Sequence, residues 1–157
     1  MSATAAHPDT PNGDQKTRIS KIVIGIDGSD ASMDAVDYAI SLSVKYRAEL
    51  YALHVIHNDV DLFGPHETSE LMAKMRNEGE GYLNQAKLKV NEKKIQVRTE
   101  IISSSSISGG ILDYADENHI DLIVIGTRGR SGFKKLLLGS VASHVITYAH
   151  CPVLITK

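Results

Sequence analysis

The feature that most constrains the fold of this chain is a repeated alternation between short, β-branched apolar runs and longer segments of helical periodicity. Five such runs occur, at residues 21–27, 49–56, 96–102, 121–126 and 152–156. Short apolar runs that alternate with helices are typical of βαβ units, whose strands lie parallel. The sequence therefore predicts a three-layer α/β domain around an open five-stranded parallel sheet, for which we adopt the strand order 3-2-1-4-5, one of the common orders of such sheets.

Four segments between and around these runs have the helical pattern. We expect helices over residues 29–46, 68–91 and 108–118, and a last helix that starts at residues 139–140. Ser29 or Asp30 can cap the first helix. Gly79 and Gly81 weaken the middle of the second. The loop over residues 127–138 is long for a connection between a strand and a helix, and long ordered loops are usually functional.

Composition places the chain among ordinary globular proteins. Of its 157 residues 42% are hydrophobic and 23% are charged, with a formal net charge of -2. The apolar runs are far shorter than the ~18 residues that cross a bilayer, and residues 1–15 lack the apolar region of a signal peptide. We expect a disordered polar tail over residues 1–17, one domain over residues 18–157, and a cytoplasmic protein without a membrane partner. The lone Cys151 fits a reducing compartment.

The long loop is rich in glycine and ends at a helix start. Its glycines are Gly126, Gly129, Gly132 and Gly139, and Ser140 follows the last of them. Glycine lets backbone N–H groups turn towards an anion, and a helix N-terminus adds partial positive charge. The spacing matches neither the P-loop nor the dinucleotide fingerprint. We predict a phosphate-binding loop, with glycines that only turn the chain as the alternative.

Charge supports a phosphate at this loop. No acidic residue follows Asp121, whereas the loop contains four basic side chains: Arg128, Arg130, Lys134 and Lys135. The alternative is a solvated basic face. Nucleic acid is not expected, because the chain as a whole is not basic and only Phe133 adds an aromatic ring to the cluster.

Asp27 follows the first strand and is a candidate ligand-binding carboxylate. In a sheet of order 3-2-1-4-5 the connections reverse direction between strands one and four, so Asp27 and Gly126 flank one crevice. A carboxylate repels phosphates, so we expect Asp27 to bind ribose or base donors, or a Mg²⁺ that bridges to phosphate oxygens. The alternative is an aspartate that caps the following helix.

Other chemistry has weaker support in the sequence. His54 and His57 are three residues apart, and since such positions on a strand face opposite sides, the two could pair on a metal only outside regular strand geometry. Cys151 precedes Pro152 and is expected to be a packed thiol. No nucleophile, base and orienting acid assemble from the sequence.

The glycine loop resembles a known nucleotide motif. Gly126-Thr127-Arg128-Gly129, nine residues and then Gly139-Ser140 are similar to the G-2x-G-9x-G-(S/T) motif of the ATP-binding branch of the universal stress protein family. The flanks resemble that family equally, over residues 22–29, 121–126, 136–142 and 151–155. The resemblance covers about residues 18–157 and implies a Rossmann-like fold of the adenine nucleotide alpha hydrolase type.

The resemblance also implies site residues. Asp27 would lie against the ribose and adenine, and the backbone of Val55 would meet the adenine. Gly126 and Gly129 would hold ribose and phosphates, with Arg128 between them. The phosphates would be bound by Gly139, Ser140 and Val141. Residues 103–106 depart from the family, in which a Gly-x-Pro turn often stands at this place.

The expected function is that of a binding module. The resemblance implies a homodimer formed through the strand at residues 153–156, which holds ATP with Mg²⁺ and uses nucleotide occupancy as a switch in stress response. The alternative from another class is a slow Mg²⁺-dependent ATP hydrolase. Hydrolysis needs a base within reach of an oriented water, and Asp27 is the nearby carboxylate that the sequence offers.

Overall fold

A computed structural model describes residues 18–58, 65–127 and 138–157. They form one sheet of five parallel strands in the order β3-β2-β1-β4-β5, which confirms the predicted fold class and order. The strands are β1 (Lys21–Gly25), β2 (Glu49–His57), β3 (Val97–Ser104), β4 (Leu122–Gly126) and β5 (Val153–Thr156). The helices are α1 (Asp30–Tyr46), α2 (Pro65–Glu92), α3 (Ile107–Glu117) and α4 (Ser140–Tyr148).

The sheet separates two hydrophobic cores. Ile22 and Ile24 of β1 point to the side of α1 and α2, where they pack against Ala39 and Val90. Val23, between them, points to the side of α3 and α4. Alternating side chains of a strand face opposite sides of a sheet, so a central strand covered by helices on both faces is apolar throughout. This is why the apolar runs of the sequence are continuous.

The strand ends differ from prediction where side chains intervene. β1 ends at Gly25 rather than Asp27, because Asp27 belongs to the turn that leads into α1. β4 starts at Leu122 rather than at Asp121, whose carboxylate accepts hydrogen bonds from the backbone N–H groups of Ser20 and Lys21. Asp121 thereby fastens the start of β4 to the start of β1.

Helix α2 is longer than the sequence predicts. It begins at Pro65 rather than residue 68 and continues through Gly79 and Gly81 to Glu92. Proline is favoured at the first helical position, where its missing N–H has no partner to lose. Within the described residues, no helix is both long and apolar enough to cross a membrane.

The chain changes direction at β1. From β1 it proceeds through β2 to β3 at one edge, then returns to β4 and continues to β5 at the other edge. The connections that leave β1 and β4 therefore diverge and open a crevice at the carboxyl ends of these two strands.

Candidate functional site

A cavity of about 440 Å³ occupies the crevice between β1 and β4. Its volume lies in the range of roughly 300–1,000 Å³ that is usual for small-molecule sites. Apolar side chains form much of the lining: Leu53, Val55, Met75, Ile107, Ile111 and Ile125. Asp27, His54, Glu78, Thr127 and Ser140 add polar groups. A mostly apolar cavity with a few convergent polar groups is the usual form of a ligand site.

Asp27 is held in place by Ser29. Its Oδ1 accepts hydrogen bonds from the backbone N–H of Ser29, at 2.9 Å, and from the Ser29 hydroxyl, at 2.5 Å. Among the described residues no hydrogen bond reaches its Oδ2. One carboxylate oxygen is thus committed to the protein while the residue lines the cavity.

Asp27 does not cap α1. The N-cap is Ser29, whose Oγ accepts a hydrogen bond from the backbone N–H of Ser32 at 3.2 Å. The sequence left open whether Ser29 or Asp30 caps the helix, and it offered capping as the alternative role of Asp27. The geometry assigns the cap to Ser29.

The N-terminus of α4 also faces the cavity. Its N-cap is Gly139, and no side-chain hydrogen bond caps the helix, whereas Ser29 caps α1 and Ser106 caps α3. The first intrahelical bond runs from Ser143 N–H to the Gly139 carbonyl, so three earlier N–H groups have no carbonyl partner within the helix. They belong to Ser140, Val141 and Ala142, which all line the cavity.

Gly126 has a packing reason to be glycine. A Cβ there would lie 2.7 Å from the Cβ of Ala31 and 2.9 Å from its carbonyl carbon, in the first turn of α1. Thr156 of β5 contacts the same residue, because its hydroxyl donates to the Ala31 carbonyl at 3.0 Å. The close packing of α1 on β4 therefore excludes a side chain at position 126, whether or not a ligand approaches.

Helix α2 supplies a wall that the sequence reasoning missed. Met75, Glu78 and Tyr82 lie at helical spacing on one face of α2 and line the cavity. Glu78 adds a second carboxylate to the lining of the cavity, besides that of Asp27. The spacing of these three residues was visible in the sequence, but nothing local indicated that this part of α2 lies over the carboxyl ends of the strands.

His54 connects α2 to the turn that follows β1, at the edge of the cavity. Its Nδ1 lies 2.7 Å from the carbonyl oxygen of Ile26, and since a carbonyl only accepts, Nδ1 carries the proton. The ring meets Tyr82 edge to face, with centroids 5.7 Å apart. The Tyr82 ring in turn covers Gly28, whose φ of 81° and lack of a Cβ suit the close contact.

Six of the predicted site residues lie together in the structure. Asp27, Val55, Gly126, Gly139, Ser140 and Val141 all line the cavity. Arg128 and Gly129 lie outside the described residues, as do Gly132 and the other basic residues of the loop. His54 and His57 both line the cavity too. In the described part of the chain no three His, Cys, Asp or Glu side chains form a cluster that would hold a metal ion.

The groups with shifted pKa values lie outside the cavity lining. Burial, followed by a hydrogen bond to Glu100, raises the pKa of Tyr114. Burial also raises the pKa of the Cys151 thiol, as does the charge of Asp121. A raised thiol pKa disfavours the thiolate, so Cys151 has the properties of a packed thiol rather than a nucleophile.

This fold and site define a class: open parallel α/β proteins with a ligand crevice at the switch point of the sheet. Within that class the chain belongs to the Universal stress protein family, whose family model matches residues 18–157. A universal stress protein of Methanocaldococcus jannaschii is 39% identical over 139 residues, covering 87% of this chain and 81% of that relative. One of Bacillus subtilis is 38% identical over 147 residues, covering 88% of this chain and 99% of the relative.

Solved structures agree with this assignment. A universal stress protein from Lactobacillus plantarum superposes with a TM-score of 0.82 at 28% identity, covering 89% of this chain and 99% of that one. Two more distant structures share the fold and are complexes with adenine nucleotides. One contains cAMP, at a TM-score of 0.65 and 24% identity, over 88% of this chain and 96% of the other. The second, from Archaeoglobus fulgidus, contains dAMP, at a TM-score of 0.67 and 21% identity, over 89% and 99%.

Proposed function

We propose that this protein binds an adenine nucleotide, ATP in the first place, in the cavity between β1 and β4. One observation carries the proposal: the cavity joins an apolar compartment and a fixed carboxylate to a helix N-terminus that has no side-chain cap. A base, a ribose and a phosphate chain need these three environments. The proposed role is a switch in stress response that depends on nucleotide occupancy.

The base and ribose suit the side of the cavity next to β1 and β2. Ile107 and Ile111 of α3 offer apolar surface to a purine, and the backbone of Val55 is the proposed partner of its edge. The carboxylate of Asp27 can accept hydrogen bonds from ribose hydroxyls through Oδ2, because Oδ1 is bonded to Ser29. This division places the Asp27 carboxylate beside hydroxyl donors rather than beside the phosphates.

The phosphates suit the N-terminus of α4. Three N–H groups there lack an intrahelical partner, and the helix adds partial positive charge at the same place. Gly139, Ser140 and Val141 are the proposed phosphate contacts. We expect Gly126, Arg128 and Gly129 to complete this end of the site.

A Mg²⁺ ion fits this arrangement only with ligands from the nucleotide. Mg²⁺ prefers octahedral oxygen coordination and usually takes one or two carboxylates together with substrate phosphates and waters. Asp27 can offer one oxygen, and the described residues contain no cluster of three metal-ligating side chains. Coordination of this ion is therefore the alternative role of the Asp27 carboxylate, in place of the bond to the ribose, and the ion would neutralise phosphate charge.

We further propose a homodimer through β5, in a cytoplasmic protein as the sequence predicts. β5 is the edge of the sheet formed by the described strands, and Val153, Leu154 and Ile155 are each only half-buried. An edge strand presents unpaired N–H and C=O groups that a second copy can satisfy around a twofold axis.

Adenine nucleotides in two proteins of the same fold support the proposal as precedents for the ligand class. One of those structures is a complex with cAMP and the other a complex with dAMP. Both of those ligands carry a single phosphate, so the preference for ATP rests on the three N–H groups at α4 that lack an intrahelical partner and on the predicted loop.

Titration calorimetry with ATP, ADP, AMP and GTP tests the proposed function. We expect saturable binding of the adenine nucleotides at a stoichiometry of one per chain, and ATP as the tightest. Native mass spectrometry of the purified protein identifies any nucleotide that copurifies. The absence of binding to all four nucleotides would refute the proposal. Steady production of ADP from ATP, abolished in Asp27→Asn, would instead favour the slow hydrolase.

A further inference from the structure

The two halves of α2 are anchored very differently. In the C-terminal half Leu83, Ala86 and Val90 are 4%, 0% and 0% exposed and belong to the core shared with α1. In the described N-terminal half, residues 69–78 include no buried side chain. Leu71 is 38% exposed, and Met72 and Met75 pack against neither core. The first half of α2 therefore depends on local contacts at the cavity rather than on the core.

Gly79 is the point where the two halves meet. It is buried, and a Cβ at this position would overlap the imidazole ring of His54. That ring is itself held by the Ile26 carbonyl at 2.7 Å. Gly79 thus rests on a fixed support, and the half of the helix without buried side chains lies on its N-terminal side.

Gly81 has no packing reason to be glycine. A Cβ there would meet nothing within 4 Å, and its φ is not in the left-handed region. Glycine inside a helix lowers helix stability relative to alanine because it has more backbone freedom to lose. Gly81 therefore lowers the cost of bending α2 next to the contact between Gly79 and His54.

We propose that residues 69–78 of α2 form a hinged wall of the cavity, which bends at Gly79 and Gly81 and controls nucleotide uptake and release. Met75 and Glu78 are the side chains that the wall brings to the cavity. The kinetic part of this inference rests on the proposed nucleotide function. The proposal that the wall opens depends only on the packing of α2.

A pair of identical substitutions two residues apart tests the hinge. Gly81→Ala adds a methyl group in open space, so the helix stiffens without a clash. Stopped flow with a fluorescent ATP analogue measures the rates of association and dissociation. We expect both rates to fall by about fivefold, because this factor corresponds to the gain in helix propensity from glycine to alanine. The dissociation constant should stay near that of the wild type. Gly79→Ala brings the same propensity gain but strikes His54, so it should weaken binding.

Asn84→Ala is the matched control, because Asn84 is exposed in the anchored half and alanine also raises helix propensity there. It should raise the melting temperature and leave both rates unchanged. Wild-type rates in Gly81→Ala would overturn the proposed hinge, and so would equal slowing in Asn84→Ala.

Hydrogen exchange tests the hinge independently of nucleotide binding. In the nucleotide-free protein, amides of residues 69–78 should exchange faster than those of residues 83–90, and Gly81→Ala should narrow the difference. Equal protection of both halves would refute the hinge even if ATP binds. If no nucleotide binds, the proposed function fails and exchange still decides whether the wall opens.

Discussion

Ser29 serves both the first helix and the carboxylate of the cavity. Its hydroxyl oxygen accepts from the backbone N–H of Ser32, and its hydroxyl hydrogen is donated to Asp27. The backbone N–H of Ser29 donates to the same carboxylate oxygen. Asp27 is therefore fixed before a ligand arrives, which reduces the entropy lost on binding.

Asp27→Asn should weaken ATP binding without unfolding the protein. The amide oxygen can keep the bonds from Ser29, but an NH₂ group then replaces the oxygen offered to the ribose. We expect a loss of about 1 to 3 kcal/mol in calorimetry, the scale of losing a hydrogen bond to a charged group. The melting temperature should change little, because Ser29 still caps α1. Wild-type affinity in this variant would remove Asp27 from the binding site.

Tyr114 predicts how stability depends on alkaline pH. Its hydroxyl donates to the carboxylate of Glu100 at 3.0 Å, and burial together with this bond raises the pKa in the folded state. The tyrosine then contributes stability that is complete below the unfolded pKa of about 10 and is lost as pH rises towards the folded pKa. Denaturant titrations should show a steeper decline of the unfolding free energy above pH 10 in the wild type than in Tyr114→Phe.

At neutral pH Tyr114→Phe should cost only about 1 kcal/mol, the net value of one hydrogen bond. Identical pH profiles for the two proteins would mean that Tyr114 does not ionise with unfolding in this range.

The sequence could not indicate every residue of the cavity. Asp27 and Gly126 were predictable because parallel strands end at one edge of the sheet. Met75, Glu78 and Tyr82 were not, since their position depends on how far α2 extends past the sheet. That extent follows from the early start of α2 at Pro65 and from the contact of Gly79 with His54, which are both tertiary features.

At the scale of elements, α4 differs from α1 and α3 in lacking a side-chain cap. A cap would satisfy the N–H groups that we assign to the phosphates. Gly139 has φ of -70° and ψ of 161°, the extended conformation that any N-cap residue adopts. The backbone at this position therefore does not require glycine.

Gly139→Asp should stabilise the protein and prevent nucleotide binding. Aspartate is a favoured N-cap and improves on glycine by a few tenths of a kcal/mol. The same carboxylate would occupy the N–H groups of α4 and repel phosphate. Calorimetry should detect no ATP binding while the melting temperature stays at or above that of the wild type.

Gly139→Ala is the control for bulk, since it adds a Cβ with neither a cap nor a charge. If the aspartate variant binds ATP as tightly as the alanine variant, the phosphates do not lie at α4.

The elements were largely predictable because their patterns are local. The parallel sheet follows from the alternation of short runs and helices, whereas this alternation is compatible with more than one strand order. The ends were less predictable, since Asp121 binds the backbone of Ser20 and Lys21, about 100 residues earlier in the chain. Such a bond leaves no trace in the local pattern.

At the scale of the whole molecule, the pairing of β5 with β4 determines which backbone N–H and C=O groups of β5 face away from the sheet. The carbonyls of Pro152 and Thr156 accept from the backbone N–H groups of Ile123 and Thr127. In a parallel strand alternate residues direct both backbone groups to the same side, so Leu154 also faces β4. Val153 and Ile155 therefore offer their N–H and C=O groups to a partner.

Ile155→Pro should shift the proposed dimer towards monomer, because it deletes a donor that points away from β4. Light scattering at micromolar concentration measures this shift. Leu154→Pro removes an internal ladder donor instead, so it should lower the melting temperature as its main effect. A wild-type protein that is monomeric at this concentration would refute the proposed interface.

The contact of Thr156 with Ala31 has a thermodynamic consequence. Ala31, in the first turn of α1, contacts the edge strand, while Ser29, the N-cap two residues earlier, holds the carboxylate proposed for ribose. Coupling between two binding equilibria is reciprocal: if ATP tightens the association of two chains, association must tighten ATP binding by the same factor. The apparent affinity for ATP should then rise with protein concentration across the monomer–dimer transition and become constant in Ile155→Pro.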